Sequence, residues 1–329
     1  MNAINMKAGR LAVSLVALSV GSLALALTAC DEPEEFGAGD VTDRDCPTWR
    51  CGFNSAEVNG RAIRELNLDG TANAAGMKIV GFVAPAGLLG NYHLDVQDDE
   101  FVATKTGSTL RGLQLIGATI LVKEPGLLSL PIPITIIGYD EIPSWADDAP
   151  DVPTYALIYP DLGSLLGSRN VCVGDITELL ATSATVLGGE TYDLTTKEVN
   201  ANMNRWFTLA CAGSAAAKLR LMNYGPQSDF NNTGNPASVS SRQAALKMVT
   251  ADYCGTGTSY TQNGTPLQYE DAPGTVAVEG TPGDVESVWT EDGALCLDTT
   301  RIANTSVACS LPSCSSFDLQ DGDWISYVP

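Results

Sequence analysis

Nine cysteines constrain this 329-residue chain more than any other feature of it. Cys30 closes an apolar leader. The other eight, Cys46, Cys51, Cys172, Cys211, Cys254, Cys296, Cys309 and Cys314, are an even number, as a disulfide framework requires. Eight cysteines allow on the order of a hundred connectivities, and the sequence does not choose among them. Spacing suggests Cys46 with Cys51 and Cys309 with Cys314 as local loops, leaving Cys172 with Cys211 and Cys254 with Cys296. Zinc is the weaker reading: there is no Cys-x-x-Cys pair and His93 is the single histidine, whereas zinc sites draw on clustered Cys and His. No metal ion and no other cofactor is expected.

Disulfides need an oxidising compartment, and the N-terminus supplies the route to one. Lys7 and Arg10 precede Leu11 to Ala29, nineteen residues without a charge, ending in "LTAC" at Leu27 to Cys30. By length alone this run could span a membrane. The small residues before Cys30 and the abrupt acidity after it favour a cleaved signal over residues 1–29. "LTAC" resembles the bacterial lipobox, which implies lipidation of Cys30 as the mature N-terminus. Two acyl chains contributing about 0.8 kcal/mol per buried CH₂ would anchor the protein stably. The expected address is the cell envelope, with the choice between inner and outer membrane left open.

Without Lys7 and Arg10 the net charge moves from −21 to −23. Such acidity argues against nucleic acid as a partner and against adhesion to anionic lipid by a basic patch. Asp31 to Asp45 holds seven acids and one base with no apolar periodicity, so residues 30–45 read as an acidic tether. As a flexible coil it would span roughly 20 Å. The composition beyond it, 44% hydrophobic and 17% charged over the whole chain, is that of a globular protein.

Residues 46–160 read as an N-terminal β-rich region. "SAEVNGRAIREL" is a strand–turn–strand pattern around Asn59 and Gly60. Tyr92, Leu94 and Val96 alternate with polar neighbours, which places His93 on the solvated face of a strand. "LRGLQLIGATILV" and "IPITIIGY" follow as β-rich runs, and the alternation predicts a sheet with one buried face. "DEIPSWADDAPDVP", from Asp140 to Pro153, reads as a solvated loop or a domain joint; its acids do not match the spacing of a calcium loop.

Residues 161–329 form the C-terminal region. Ser214 can cap a helix over 214–224 that Gly225 and Pro226 stop. A second helix is expected over 241–254, with Ser240 and Gln243 as a capping box. Its apolar spacing leaves Arg242, Lys247 and Thr250 for other faces, and Gly255 as a left-handed end. Ala251, Asp252, Tyr253 and Cys254 would then lie on its last turn. "SYTQNGTPLQY" reads as a hairpin with a type I′ turn at Asn263 and Gly264. The fold class is therefore α+β and β-rich: antiparallel strands with two short helices, stapled by disulfides.

"TADYCGTGTSYTQNGTPLQYED" with "VWTEDGALCLDTTRI" resembles the ADYC domain, named for its tetrapeptide and found in exported proteins of myxobacteria and their relatives. "WFTLACAGSAAAKLRLMNYGP" and "GFNSAEVNGRAIRELNLDG" carry the likeness further upstream. The named domain covers roughly Phe207 to Ser326. Many members have a cysteine just after the "AK" lysine, where this chain has Leu219. The resemblance implies a compartment and no chemistry.

An enzyme must then be argued from residues, and no catalytic residue emerges. One histidine on an exposed strand gives no Ser-His-Asp or Cys-His constellation. There is no P-loop, no GxGxxG after a strand and no HExxH. Thirty-nine acids make any glycosidase-like pair easy to nominate and none selectable. Asp252 and Tyr253 are the residues to test, with local hydrogen bonding at a helix end as their plainer role. The reading is a lipid-anchored envelope module that binds or supports an unknown protein or polysaccharide. The alternative is a carboxylate-dependent hydrolase of envelope or environmental polysaccharide. A deep pocket with two carboxylates about 5–10 Å apart would favour the hydrolase. Exposed aromatics among Trp49, Trp145, Trp206, Trp289 and Trp324 would favour binding.

Overall fold

Short strands, many of them joined at turn residues that accept positive φ, build most of the regular structure among the described residues. Asn59 (φ 51°) and Gly60 (φ 74°) join strands Glu57–Val58 and Arg61–Ala62 in the expected tight turn. The computed structural model describes residue 49 and residues 55–88, 90–164, 167–172, 183–278 and 280–329. The leader, Cys30, the acidic tether and the Cys46/Cys51 pair lie outside the described residues.

Among those residues eight antiparallel strands form one sheet. Its order is Glu65–Asn67, Trp206–Cys211, Ala184–Gly188, Val152–Pro160, Ile132–Ile142, Thr119–Lys123 and Lys78–Val83, with Ser168–Asn170 paired to Val152–Pro160. Strands from both sides of residue 160 interleave in it. A regional boundary at 160 would therefore cut a hydrogen-bonded sheet. The loop between Ile142 and Val152 is not a domain joint either, because its flanking strands pair with each other. Asp140 and Glu141 belong to the first of them.

The two faces of this sheet carry different cores. Val186 and Leu209 point into one, with Phe101, Tyr155 and Phe207; their neighbours Leu187 and Ala210 point into the other. A three-stranded meander, His93–Gln97, Glu100–Lys105 and Ser108–Arg111, covers the first face. There Phe101 lies 5.0 Å from the Tyr155 ring and 5.5 Å from that of Phe207. His93 is exposed and Leu94 and Val96 are buried, as the alternation requires. Central strands such as Ala184–Gly188 are buried along their whole length, so the expectation of a single buried face is corrected. Outer strands such as Thr119–Lys123 keep the alternation.

Two α-helices cover the second face: α1 (Ala215–Leu221) and α2 (Val239–Thr250). Ser214 caps α1 as expected, accepting from the Ala217 N–H. Asn223, at φ 62°, ends it before Gly225, with Tyr224 N–H donating to Leu219 O at 2.8 Å. A four-stranded sheet, Gln268–Asp271, Trp324–Val328, Asp284–Thr290 and Gly293–Ala294, packs beyond the helices through Trp289 and Trp324. The chain is thus mostly β, and "α+β" describes it loosely.

Three further expectations change. The α2 cap is Ser238, whose hydroxyl accepts from Ser241 N–H at 3.0 Å. Gln243 instead reaches sideways, accepting from Val199 N–H and donating to Lys197 O, both at 2.7 Å. At the expected hairpin only Gly264 has positive φ (77°), and no strand precedes it; strand Gln268–Asp271 pairs with Trp324–Val328 instead. The cysteine pairing also differs. Cys172 bonds Cys211, as spacing suggested, but Cys254 bonds Cys309 and Cys296 bonds Cys314. The reason is sidedness. Cys296 and Cys314 lie with Val288 and Ile325 in a third core, whereas Cys254 follows Tyr253 of the helix-side core.

Candidate functional site

The residues nominated for testing sit just past α2, not on its last turn. Ala251 takes the left-handed conformation (φ 50°, ψ 44°) that ends the helix. Its N–H donates to Met248 O and that of Asp252 to Lys247 O, the two bonds of a Schellman end. An L-residue there costs roughly 1–2 kcal/mol, so the surroundings must hold it. They do so through each of the next three residues.

Asp252 is fully buried and its carboxylate accepts three hydrogen bonds. Oδ2 accepts from Lys247 Nζ and from Gly257 N–H, both at 2.8 Å, and Oδ1 from Thr256 N–H at 3.0 Å. Lys247, also buried, donates to Thr196 O at 3.1 Å. Gly257 is forced by contact: a Cβ there would stand 2.1 Å from Thr195 O. The pair thus fastens the helix end to the ribbon formed by Thr191–Asp193 and Glu198–Asn200.

Tyr253 stacks on Trp289, with ring centroids 5.3 Å apart, and its hydroxyl donates to Glu286 Oε1 at 2.5 Å. Burial first, then the Glu286 charge, push its phenol well above the ordinary value. Glu286 is itself a hub. It takes Arg301 Nε at 2.7 Å and Nη2 at 2.9 Å, and the Ser326 hydroxyl at 2.6 Å. Ser326 in turn accepts from Trp289 Nε1 at 2.7 Å. Arg301 spends a further N–H on Met248 O at 2.8 Å, closing the circle on α2. Cys254 completes the run by its bond to Cys309.

A second buried network stands on the other side of α2. Arg242 clasps Glu190 through Nε at 3.0 Å and Nη2 at 2.6 Å, and Tyr192 donates to the same carboxylate at 2.7 Å. Nearby, Asp99 is buried in the turn between two meander strands. It accepts from Gly188 N–H at 2.8 Å and Gln227 N–H at 3.1 Å, with Arg220 Nε 3.9 Å away. Desolvation outweighs these partners, and its carboxyl is pushed up to about 6.

The sequence pointed to Asp252, Tyr253 and the cysteines but missed Glu286, Arg301, Glu190 and Asp99. It left Arg242, Lys247 and Thr250 for other faces of the helix, and all three are buried. The signal available was slight: α2 carries two cations and no acid, so its counter-charges had to come from elsewhere. Asp252 accepts three hydrogen bonds while fully buried, so its carboxylate faces internal partners and holds the turn. An open recess of about 430 Å³ lies beside it, lined by the 262–266 turn and by Arg301, Ile302 and Ala303. Trp289 and Trp324 are wholly buried and Trp49, Trp145 and Trp206 half-buried, so the tryptophans do not form an exposed aromatic face. Among the described residues no group of three or more His, Cys, Asp or Glu is placed to hold a metal ion, and no helix is long and apolar enough to cross a membrane.

Against models of known families, residues 112–303 match the one described as the ADYC domain. That span begins well before the Phe207 expected from the resemblance and takes in the centre of the large sheet. No curated protein and no solved structure matches the chain.

Proposed function

This chain belongs to the ADYC domain family, and from that premise we propose that it is a lipid-anchored module of the bacterial cell envelope that acts by binding or support rather than by catalysis. The observation that carries the choice is the commitment of Asp252 and Tyr253 to internal partners. The carboxylate has three donors and the phenol is locked to Glu286. A glycosidase-like mechanism needs two carboxylates facing one accessible cleft. The hydrolase alternative therefore finds no support in this cluster.

The anchor half of the proposal rests on the sequence. The "LTAC" run ending at Cys30, the charge-free stretch before it and the acidic run after it support a lipidated cysteine at a processed N-terminus. Three disulfides among the described residues suit an oxidising compartment. Cys30→Ala should leave the protein unprocessed or release it from membranes on fractionation of the host cell. A variant that stayed membrane-bound with its N-terminus at residue 30 would overturn the lipid anchor. Recovery of a partner by photocrosslinking on intact cells would name the ligand. Turnover of a polysaccharide by the wild type, lost in a folded Asp252→Asn variant, would overturn the non-catalytic half.

A further inference from the structure

The chain exposes four leucines at one end of its large sheet, and the sheet's own register puts them together. Strands Thr119–Lys123 and Ile132–Ile142 are antiparallel and close at Val122 and Ile132, so the 124–131 loop caps that end. Strand Val152–Pro160 runs back against Ile132–Ile142, Val152 facing Ile142 and Ile158 facing Thr135, so it finishes at the same end, and Leu162 follows it. Leu127 is 94% exposed, Leu128 91%, Leu130 81% and Leu162 100%. Water is a poor environment for such side chains, and a cluster on adjoining loops is not the scattered exposure of an ordinary surface.

The charges around these loops have the opposite sign to the molecule. Lys78 and Lys123 face each other across the last rung of their strands, with no counter-ion among the described residues. Arg61 lies close by, donating to Ala75 O at 3.5 Å, and its neighbour Asn59 donates to Glu124 at 2.9 Å. Of the acids beside the loops, Asp161 pairs with Arg169 at 2.8 Å, while Glu124 accepts from neutral Asn59 and keeps its charge, one anion against three cations. On a chain of net charge −21, three cations gathered around exposed leucines set this end apart from the average of the molecule.

We propose that Leu127, Leu128, Leu130 and Leu162 dip into a phospholipid surface while Lys78, Lys123 and Arg61 meet its headgroup phosphates. The inference rests on the membrane-anchored reading above and adds an orientation to it. Long basic side chains around an apolar wedge are the pattern of an interfacial contact: leucines reach the acyl boundary and ammonium groups stay at phosphate depth. The whole-chain acidity that argues against adhesion by a basic patch is an average over all faces and does not describe this one. This local end docks where a phosphate layer covers an apolar one.

The test uses the full, acylated protein bound to phosphatidylcholine vesicles, with and without phosphatidylglycerol. An environment-sensitive fluorophore is placed at Leu128→Cys or, as comparison, at Val83→Cys. Val83 is 52% exposed and pairs with Thr119 at the far end of its strand. The expected result is a blue shift and quenching by brominated lipid at 128 and neither at 83. Both effects should weaken when Lys78 and Lys123 are changed to Ser. A vesicle-bound protein whose 128 probe stays in water, or whose 83 probe is the quenched one, overturns the docking and leaves the anchor standing. A blue shift at 128 without vesicles that grows with protein concentration also overturns it, in favour of self-association. An acylated protein that does not float with vesicles overturns the anchor itself.

Discussion

Lys247 and Asp252 meet at 2.8 Å around the end of α2, both withdrawn from solvent, with the chain turning left-handed between them. Removing one partner of a buried pair strands the other charge, at a cost of about 3–5 kcal/mol. Asp252→Asn is therefore expected to lower the unfolding free energy by about 3 kcal/mol, well beyond the modest loss of one local hydrogen bond. Urea denaturation measures this. Adding Lys247→Met should return part of the loss, because no charge is then left unpaired.

Tyr253 offers a milder perturbation of the same knot. Tyr253→Phe keeps the stack on Trp289 and deletes the bond to Glu286. Hydrogen bonds to charged groups contribute about 1.5–3 kcal/mol, so a loss near 2 kcal/mol is expected by the same denaturation assay. Glu286 retains Arg301 and Ser326, which keeps the variant folded.

The disulfide map can be read without any functional assay. Non-reducing peptide mass spectrometry should find Cys172 linked to Cys211, Cys254 to Cys309 and Cys296 to Cys314. A peptide joining Cys254 to Cys296 would contradict the fold. Chain-entropy estimates give about 4 kcal/mol for the longest of these loops and about 3 kcal/mol for the shortest. The Cys254→Ser/Cys309→Ser pair should accordingly lower the melting temperature more than Cys296→Ser/Cys314→Ser.

Asp99 should leave a mark on the pH dependence. Its carboxyl is pushed up to about 6 in the folded protein from 3.8, so between these values the native state holds a proton that the unfolded chain has lost. Stability from this group is therefore present at low pH and falls as pH rises towards 6, by up to about 3 kcal/mol, and is flat above. Asp99→Asn removes that slope. The difference in unfolding free energy between wild type and variant should change across pH 4 to 6 in the direction that disfavours the wild type at the upper end.

What the sequence made legible was local. Asn59–Gly60, the alternation around His93 and the Ser214 cap each depend on neighbours within a few residues, and each is found where expected. The α2 cap failed by two residues because Ser238, Ser240 and Ser241 offer the same chemistry, and only the Ser238 backbone is extended. The apolar spacing of α2 placed Arg242 and Lys247 off its apolar face and said nothing of their partners; the carboxylates that pair with them come from residues 190 and 252, on separate turns. The cysteine pairing was out of reach for the same reason. Which sulfur faces which depends on the sides of a sheet that is assembled from 268–271, 284–294 and 324–328.

The order of strands in the large sheet has a consequence for the newborn chain. Glu65–Asn67, among the first segments to be made, hydrogen-bonds only to Trp206–Cys211 within that sheet, and the closing disulfide of Cys172 needs the same late strand. That strand must therefore wait without a partner in the sheet while 78–83, 119–123, 132–142 and 152–160 pair in turn behind it. Its docking awaits the arrival of one hexapeptide, and contacts this distant in sequence close slowly. A chaperone that shields bare strand edges would have its longest engagement with residues 65–67, and would be dismissed by the appearance of Trp206.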